Sequence, residues 1–181
     1  SRLGWIKRHQ ARFAAQERQA PYQYVTGEQH IFLGQPYRLN VLHHHGHARV
    51  ALGTEQTLEL VIRECSDAAL RERAIMAWYR RQLKALIPPL IEQWEAVIGV
   101  KAAEWGVKQM KTRWGTCNIK ARRIWLSLGL AKKPPQCLEY IVVHELMHLL
   151  ARNHGKKFIA LMDTHLPVWR QSRAELKRAS H

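Results

Sequence analysis

Cysteine is scarce in this chain. Only Cys65, Cys117 and Cys137 occur in 181 residues, and no two of them form a C-x-x-C pair. An odd and widely spaced set argues against a disulfide framework and against a zinc site built from thiolates. This usage predicts a reducing compartment, and we therefore expect a cytoplasmic protein.

Long apolar runs are absent as well. No uncharged apolar segment of the sequence approaches the roughly 20 residues that a membrane-spanning helix requires, so we expect no membrane association. The opening residues 1–5 lack the apolar core of a signal peptide. A mean hydropathy of −0.36 with 46% hydrophobic residues is instead typical of a globular protein with a sizeable core.

Acidic residues are few. The 14 Asp and Glu residues stand against 29 Lys and Arg, which gives a formal net charge of +15 and a pI of about 10.3. Such a charge predicts attraction to an anionic partner, whether nucleic acid, a nucleotide or an acidic protein. The basic residues are spread along the chain, and no recognisable nucleic-acid-binding motif accompanies them.

The strongest motif is the segment His144-Glu145-Leu146-Met147-His148. On a helix, residues four apart lie on one face, so both imidazoles can bind one ion from the same side. Glu145 is roughly 100° further round the helix, beside these ligands. A carboxylate there can take a proton from metal-bound water, whose pKa zinc lowers from about 15.7 to about 7. H-E-x-x-H therefore predicts a zinc hydrolase with Glu145 as general base.

The third ligand is predicted to be His154. It follows His148 by six residues, the spacing of the longer pattern H-E-x-x-H-x-x-G-x-x-H, whose glycine falls at Ala151 here. Asn153 and Gly155 can both adopt the left-handed conformation, so we expect a turn there that brings His154 back to the metal. Three other side chains remain alternatives as third ligand: Asp163, His165 and Glu175.

The helix that carries the motif is predicted to begin at Pro134 and Pro135, which suit a first turn. Its apolar residues spread over most of the circumference, so we expect it to be buried on several sides. The candidate oxyanion donors near it are Tyr140, Arg152 and His165. Carboxylates that orient the imidazoles are also expected, with Glu139 and Asp163 as candidates.

The first part of the chain is predicted to contain a helix and then strands. Residues 3–20 have helical periodicity with a basic face. Glycines separate four short runs that look like antiparallel strands in a meander: residues 30–33, 37–42, 49–52 and 58–62. The histidine tract His43, His44, His45 and His47 is interpreted as a solvated turn rather than a second metal site.

Helices dominate the second part. Ser66-Asp67 is predicted to cap a helix from Ala68 to about Leu86, which Pro88-Pro89 end or kink before a second helical stretch. We expect residues 1–65 to form the N-terminal helix and strands and residues 66–181 the helical, catalytic part, within one compact domain.

Residues 105–128 are predicted to form a hairpin next to the metal helix. In peptidases built on this motif, a strand beside the metal helix lines the cleft, and an extended peptide can pair with its edge. The candidate residues of the substrate cleft are Lys111, Arg113, Trp114 and Gly115.

The segments Met110–Cys117, Val143–Leu149 and Asn153–Phe158 together form a pattern that resembles the YgjP-like metallopeptidase family. Three earlier segments strengthen the resemblance, which covers most of the chain: Leu3–Ile6, Tyr24–Glu28 and Trp78–Arg81. Departures from the family pattern are mild and lie at Thr116, Met147 and Gly155, none of which carries the chemistry.

The resemblance implies a zincin-like α+β domain, related to SprT-like proteases, with an antiparallel sheet and an H-E-x-x-H helix. It also implies one zinc ion per chain held by His144, His148 and His154, with Glu145 as general base. Nickel or manganese could occupy three imidazoles as well.

The predicted function is a zinc-dependent metallopeptidase acting on a peptide or protein substrate. The charge of +15 favours one alternative, a metal-dependent hydrolase of nucleotide polyphosphates or another anionic small substrate. A second alternative is a nucleic-acid-associated binding module with a structural zinc, which leaves Glu145 without a role.

Overall fold

A computed structural model gives the structure of the protein and describes residues 21–178. The helix predicted for residues 3–20 lies outside the described residues. The described elements, in chain order, are β1 (Gln29–Phe32), β2 (Gln35–His43), β3 (Arg49–Leu52), β4 (Thr57–Ile62), α1 (Ala68–Ile98), β5 (Glu104–Lys108), β6 (Gly115–Asn118), β7 (Arg123–Ser127), a 3-10 helix (Leu128–Lys132), α2 (Pro135–Met147), α3 (Lys156–His165) and α4 (Trp169–Lys177). The protein is therefore a mixed α+β structure, as predicted.

The first four strands form one sheet in the spatial order β1-β2-β4-β3. The predicted strand positions are confirmed, but the antiparallel meander is wrong, because β4 lies parallel to β2 and between β2 and β3. Burial explains this order. β4 buries every second residue, Leu58, Leu60 and Ile62, whereas β3 buries only Val50 and lies at the sheet edge.

Helix α1 packs its apolar stripe on the core. It begins after Asp67, whose carboxylate accepts a 2.8 Å hydrogen bond from the N–H of Leu70, so the predicted cap is confirmed. It ends at Gly99, which has a φ of 77°.

Within residues 21–178, no helix combines the length and the apolar character needed to cross a membrane.

Pro88-Pro89 do not end the helix, which was one of the two predicted outcomes, since α1 continues through both residues. Each proline lacks an N–H and so leaves one carbonyl a turn earlier without a helical partner, at Lys84 and Ala85. These four residues are exposed, and water can satisfy the two carbonyls. Ile87 and other apolar residues on the opposite face are buried, so tertiary packing holds the helix together across the prolines.

The last three strands form a second sheet in the order β5-β7-β6. The hairpin predicted for residues 105–128 is only partly correct, because β7 pairs antiparallel with β6, whereas β5 runs parallel to β7 and is not part of the hairpin. The middle of that segment, where the residue types 114–118 favour a turn, instead contains strand β6 (Gly115–Asn118). Both sheets therefore mix parallel and antiparallel pairs, which corrects the predicted antiparallel sheet. Since β6 is an edge strand, one side of its backbone is free of pairing within the sheet.

Helix α2 lies at the centre of the second half of the chain. It starts at Pro135, as predicted, and most of its 13 residues are buried. It contacts α1, α3, α4, β6, β7 and the 3-10 helix. The histidine motif is therefore carried by a helix that its neighbours hold on nearly every side.

The turn between β1 and β2 docks next to the start of α2. The N–H of Leu33 donates to the carbonyl of Ala131 at 2.8 Å, and that of Gly34 donates to Lys132 at 3.2 Å. Gly34 has a φ of 77°, and a Cβ at this residue would lie 2.9 Å from Cγ of Pro134. The first sheet thus fixes the chain immediately before the motif helix, and only glycine fits the contact.

Gly34→Ala is expected to destabilise the protein more than Gly99→Ala does. Both glycines have a φ of 77°, but a Cβ at Gly99 would meet nothing within 4 Å. Left-handed strain alone should cost about 1 kcal/mol in each variant. The contact with Pro134 should cost Gly34→Ala about 2 kcal/mol more. Chemical denaturation measures both, and equal losses would contradict the proposed docking constraint.

Candidate metal centre

Three imidazoles converge at the end of α2. His144 and His148 lie one helical turn apart, and His154 lies in the loop before α3. One ligand nitrogen from each ring can be chosen so that the three lie within 4.8 Å of one another. Nε2 of His154 lies 2.9 Å from Nε2 of His144. In residues 21–178 no other group of three His, Cys, Asp or Glu side chains is as closely placed.

A tight helix end brings His154 to the other two rings. The N–H groups of Leu149 and Leu150 donate to carbonyls three residues earlier, so the last turn tightens into a 3-10 type turn. The predicted left-handed residues are wrong, because Gly155 has a φ of −82° and Asn153 is not among the residues with positive φ. The chain turns through 3-10 bonding instead, and Gly155 begins α3 in an extended conformation.

Phe158 forms an apolar floor beneath the histidines. Its ring centroid lies 4.9 Å from those of His144 and His148 and 4.8 Å from that of His154. The residue is buried, in the first turn of α3. Phe158 was not among the predicted site residues. The available signal was its place four residues after His154, the distance of one helical turn.

The outer nitrogens of two rings are engaged. Nδ1 of His148 lies 3.1 Å from the carbonyl of Ala151, which can only accept, so this nitrogen donates and leaves Nε2 with its lone pair. Nδ1 of His144 lies 3.4 Å from the hydroxyl of Tyr140. A carbonyl and a phenol therefore orient the imidazoles where carboxylates were predicted.

The two predicted carboxylates have other partners. Glu139 accepts a 3.0 Å hydrogen bond from the indole of Trp94. Asp163 accepts one of 2.8 Å from the indole of Trp169 and pairs with Arg170. The first bond joins α1 to α2 and the second joins α3 to α4, so neither carboxylate orients an imidazole.

The environment keeps His144 and His148 neutral. Burial, with contributions from the neighbouring histidines, lowers the pKa of His144 to about 3. Burial also lowers the pKa of His148. A metal ligand must be a neutral imidazole, so near neutral pH these two rings already have the protonation state that metal binding requires.

Glu145 is buried beside the triad, against strand β6. A Cβ at Gly115 would lie 2.7 Å from Oε1 of Glu145 and 2.8 Å from Cγ2 of Ile141. Glycine at this position therefore lets β6 approach α2 closely. Burial raises the pKa of Glu145 to about 8, against a smaller opposing effect of the Arg113 guanidinium. A cation bound nearby would favour the ionised form again.

A cleft of about 930 Å³ opens over these residues. Of the predicted cleft residues, Arg113, Trp114 and Gly115 line it. Lys111 does not, and instead lines an adjoining cavity of about 660 Å³ that also touches Arg113 and Trp114. Several lining residues were not predicted, most of them after Gly115 along β6 and its turn: Thr116, Cys117, Asn118, Ile119 and Lys120, together with Ile141 and Asn153.

The free edge of β6 faces away from β7. The N–H of Ser127 donates to the carbonyl of Trp114 at 2.9 Å, which makes these two residues a hydrogen-bonded pair of the antiparallel ladder. Because such pairs alternate, the backbone groups of Gly115 and Cys117 point to the unpaired side. Both residues line the cleft.

The structure distinguishes among the remaining candidates for the oxyanion donor and the third ligand. Arg152 lines the cleft, whereas the hydroxyl of Tyr140 lies behind His144 and His165 is not a lining residue. Asp163, His165 and Glu175, the alternative third ligands, are not part of the three-residue cluster. The histidine tract is exposed, and its members form no cluster within the described chain.

Comparison with known proteins gives one family match and structural likenesses. A family model described as "YgjP-like, metallopeptidase domain" matches residues 1–179. The chain is similar to the metallopeptidase zymogen abylysin of Pyrococcus abyssi, at 19% identity over 49% of this chain and 89% of that one, with a TM-score of 0.45. The zymogen jannalysin of Methanocaldococcus jannaschii gives 19% identity, 50% and 92% coverage, and a TM-score of 0.45. No curated protein sequence matches the chain significantly.

The raised pKa of Glu145 predicts a pH-dependent effect of Glu145→Gln on the metal-free protein. Between pH 4.5, the ordinary value, and about 8, the folded state holds this proton more tightly than the unfolded state does. The unfolding free energy of the metal-free parent should therefore fall as the pH rises through this window. Glu145→Gln should not show this fall, because glutamine does not titrate. The variant minus parent difference in unfolding free energy should grow with pH, by at most about 1.4 kcal/mol per pH unit.

Denaturation with a chelator present, from pH 5 to pH 8, measures this difference. The low pKa of His144 has the opposite effect on the stability of the folded protein. Its contribution is present above the ordinary pKa of 6.5 and is lost as the pH falls below that value. That effect is common to both proteins and cancels. A difference that stays constant with pH would contradict the buried carboxyl.

Proposed function

The chain belongs to the YgjP-like metallopeptidase family, and we propose that it is a zinc-dependent peptidase. Family membership supports a metal-dependent hydrolase. In the proposal, one zinc ion is held by His144, His148 and His154, and Glu145 is the general base. The observation that carries it is the meeting of three imidazole nitrogens with one buried carboxylate in a single cleft.

The donor set fits zinc. Three imidazoles are a common protein ligand set for a catalytic zinc ion, whose fourth position stays open. The lone pair of His148 Nε2 is left free by the bond from Nδ1 to Ala151. When bound, the ion would lower the pKa of water to about 7 and polarise a substrate carbonyl. Nickel or manganese remain chemically compatible with the same ligands.

Glu145 supplies the proton transfer in this proposal. Glu145 follows His144 directly in the sequence, and both side chains line the cleft. It would take a proton from the attacking water and pass it to the leaving amine nitrogen. Its position supports the role, because a cation bound by the neighbouring histidines would favour the ionised carboxylate that a base requires.

The cleft supports an extended peptide as substrate. The unpaired backbone groups of Gly115 and Cys117 can hydrogen-bond a peptide strand laid along β6. This pairing would place the peptide beside Glu145, since Gly115 approaches that side chain directly. Arg152 is the oxyanion candidate retained by the geometry, because it lines the same cleft.

Glu145→Gln is expected to keep zinc and to lose peptide cleavage by about 100-fold to 10,000-fold, the usual contribution of a general base. Zinc content and cleavage of a peptide mixture are measured on the same preparation. Glu139→Gln is the matched control, because this carboxylate lies on the same helix but bonds to Trp94. The proposal is contradicted if zinc-loaded Glu145→Gln cleaves peptides as fast as the control.

The same pair of variants tests the nucleotide alternative. Release of phosphate from nucleoside triphosphates by the parent, lost in Glu145→Gln, together with no peptide cleavage, would favour a hydrolase of anionic small substrates. The nucleic-acid-binding alternative predicts no Glu145-dependent hydrolysis of either kind.

Gly115→Ala is expected to lower peptide cleavage while zinc remains bound. The added Cβ would meet Oε1 and Cγ of Glu145 and Cγ2 of Ile141 and displace the carboxylate from the cleft, and none of these three nearest atoms belongs to a histidine. We expect a loss of roughly 100-fold, the scale that a misplacement of about 1 Å produces. At Gly155, by contrast, a Cβ meets nothing within 4 Å and φ is −82°, so Gly155→Ala is the control. Similar rates for the two variants would exclude the close approach of β6 as a catalytic requirement.

A further inference from the structure

A second cavity adjoins the cleft and has no role in the mechanism above. This side cavity, of about 660 Å³, lies between residues 109–114, the 3-10 helix and the first turns of α1. It shares two lining residues, Arg113 and Trp114, with the cleft over the histidines. These two residues therefore form a wall that the cleft and the side cavity have in common.

The lining of the side cavity is strongly basic. Lys111, Arg113, Lys132 and Lys133 all contribute to it. Glu72 is the one acidic residue among the lining residues of the described chain. The formal charge around the cavity is thus three positive units in excess, so the cavity is suited to an anionic group.

Lys132 is the central feature of this cavity. Its ammonium lies 5.7 Å from the ring centroids of both Tyr22 and Tyr79. Its side chain forms no salt bridge or hydrogen bond among residues 21–178. Burial lowers the pKa of Lys132, against a smaller opposing effect of the Glu72 carboxylate. Because Glu72 forms no salt bridge with this half-buried ammonium within residues 21–178, a ligand that brings a negative charge into contact with it would be the stronger electrostatic partner.

The rest of the cavity wall suits the stem of a side chain. Tyr79, Met76 and Leu128 supply apolar surface next to Lys132. At the opening, the ammonium of Lys133 lies 5.6 Å from the ring centroid of Trp114. An occupant with a short apolar stem and an anionic end matches this arrangement of apolar wall and basic end.

We infer that the side cavity is a subsite for an acidic side chain of the peptide substrate, on one side of the scissile bond only. The inference rests on the proposed peptidase function. A peptide paired with the free edge of β6 passes Gly115 beside Glu145, and its continuation past Trp114 enters the cavity. The cavity lies beyond the N-terminal end of β6 and not beyond its C-terminal end. The preference for an acidic side chain therefore applies only to substrate positions on one side of the scissile bond.

Cleavage of paired peptides tests the subsite. The substrates are N-acetylated and C-amidated peptides, otherwise neutral, that carry Glu or Gln at each position on either side of the cleaved bond. The parent should cleave the Glu peptide roughly tenfold more efficiently in kcat/KM, at positions on one side only. A matched Gln peptide with a free C-terminal carboxylate tests whether the terminal group can serve as the anion instead.

Lys132 variants assign the preference to the cavity. In Lys132→Met the Glu to Gln ratio should fall to about one, whereas Lys132→Arg, which keeps the charge, should retain it. Lys84→Met is the matched control, because this exposed lysine on α1 lines a different cavity, with Trp105 and Trp125. A parent without preference for Glu, or a Lys132→Met variant that keeps the full ratio, would overturn the inference.

Direct binding separates failure of the subsite from failure of the peptidase function. Calorimetry with zinc-loaded Glu145→Gln protein needs no cleavage, and the Glu peptide should bind roughly tenfold more tightly than the Gln peptide. Adding Lys132→Met should remove this difference. Lys132-dependent binding without any cleavage by the parent would leave the subsite standing and reject the peptidase. Lys132-dependent binding of ATP but not of the Glu peptide would reject the peptide assignment in favour of a nucleotide.

Discussion

The burial of helix α2 is the constraint on which the site depends. Val142, Val143, Leu146 and Met147 are fully buried, and the helix is held by α1, α4, both strands of the hairpin and the 3-10 helix. Two imidazoles and one carboxylate are therefore fixed in position by the packing of their neighbours along the chain. The same packing removes them from water, which keeps His144 neutral and raises the pKa of Glu145. A metal ion would provide the charge partner that this buried set of donors lacks.

Much of the fold could be predicted from local patterns. The positions of the strands other than β6, the Asp67 cap and the start of α2 at its prolines all follow from periodicity and capping chemistry within a few residues. The order of the strands could not, because β4 is inserted between β2 and β3 through contacts distant in sequence. The continuity of α1 through Pro88-Pro89 also depends on tertiary packing, which a rule for isolated prolines does not include.

The candidate site shows the same division. The spacing of His144, His148 and His154 predicted that these side chains would meet, and the structure brings them together. Their surroundings were less accessible from sequence. Phe158 contacts all three rings, and the carbonyl of Ala151 orients His148, but neither contact has a motif. Gly115 was assigned to the cleft, yet its close approach to Glu145 is a property of how β6 packs on α2. The sequence showed an excess of basic residues but not where they gather, and four of them line the side cavity.

Elemental metal analysis tests the central claim most directly. The protein is purified without a nickel column, offered zinc and dialysed, and the parent is compared with His154→Ala. We expect about one zinc per chain in the parent and a much weaker or absent zinc signal in the variant, because two imidazoles on one helix hold the ion less tightly than three. A parent that retains no metal, or a His154→Ala variant that retains a full equivalent, would contradict the three-histidine centre.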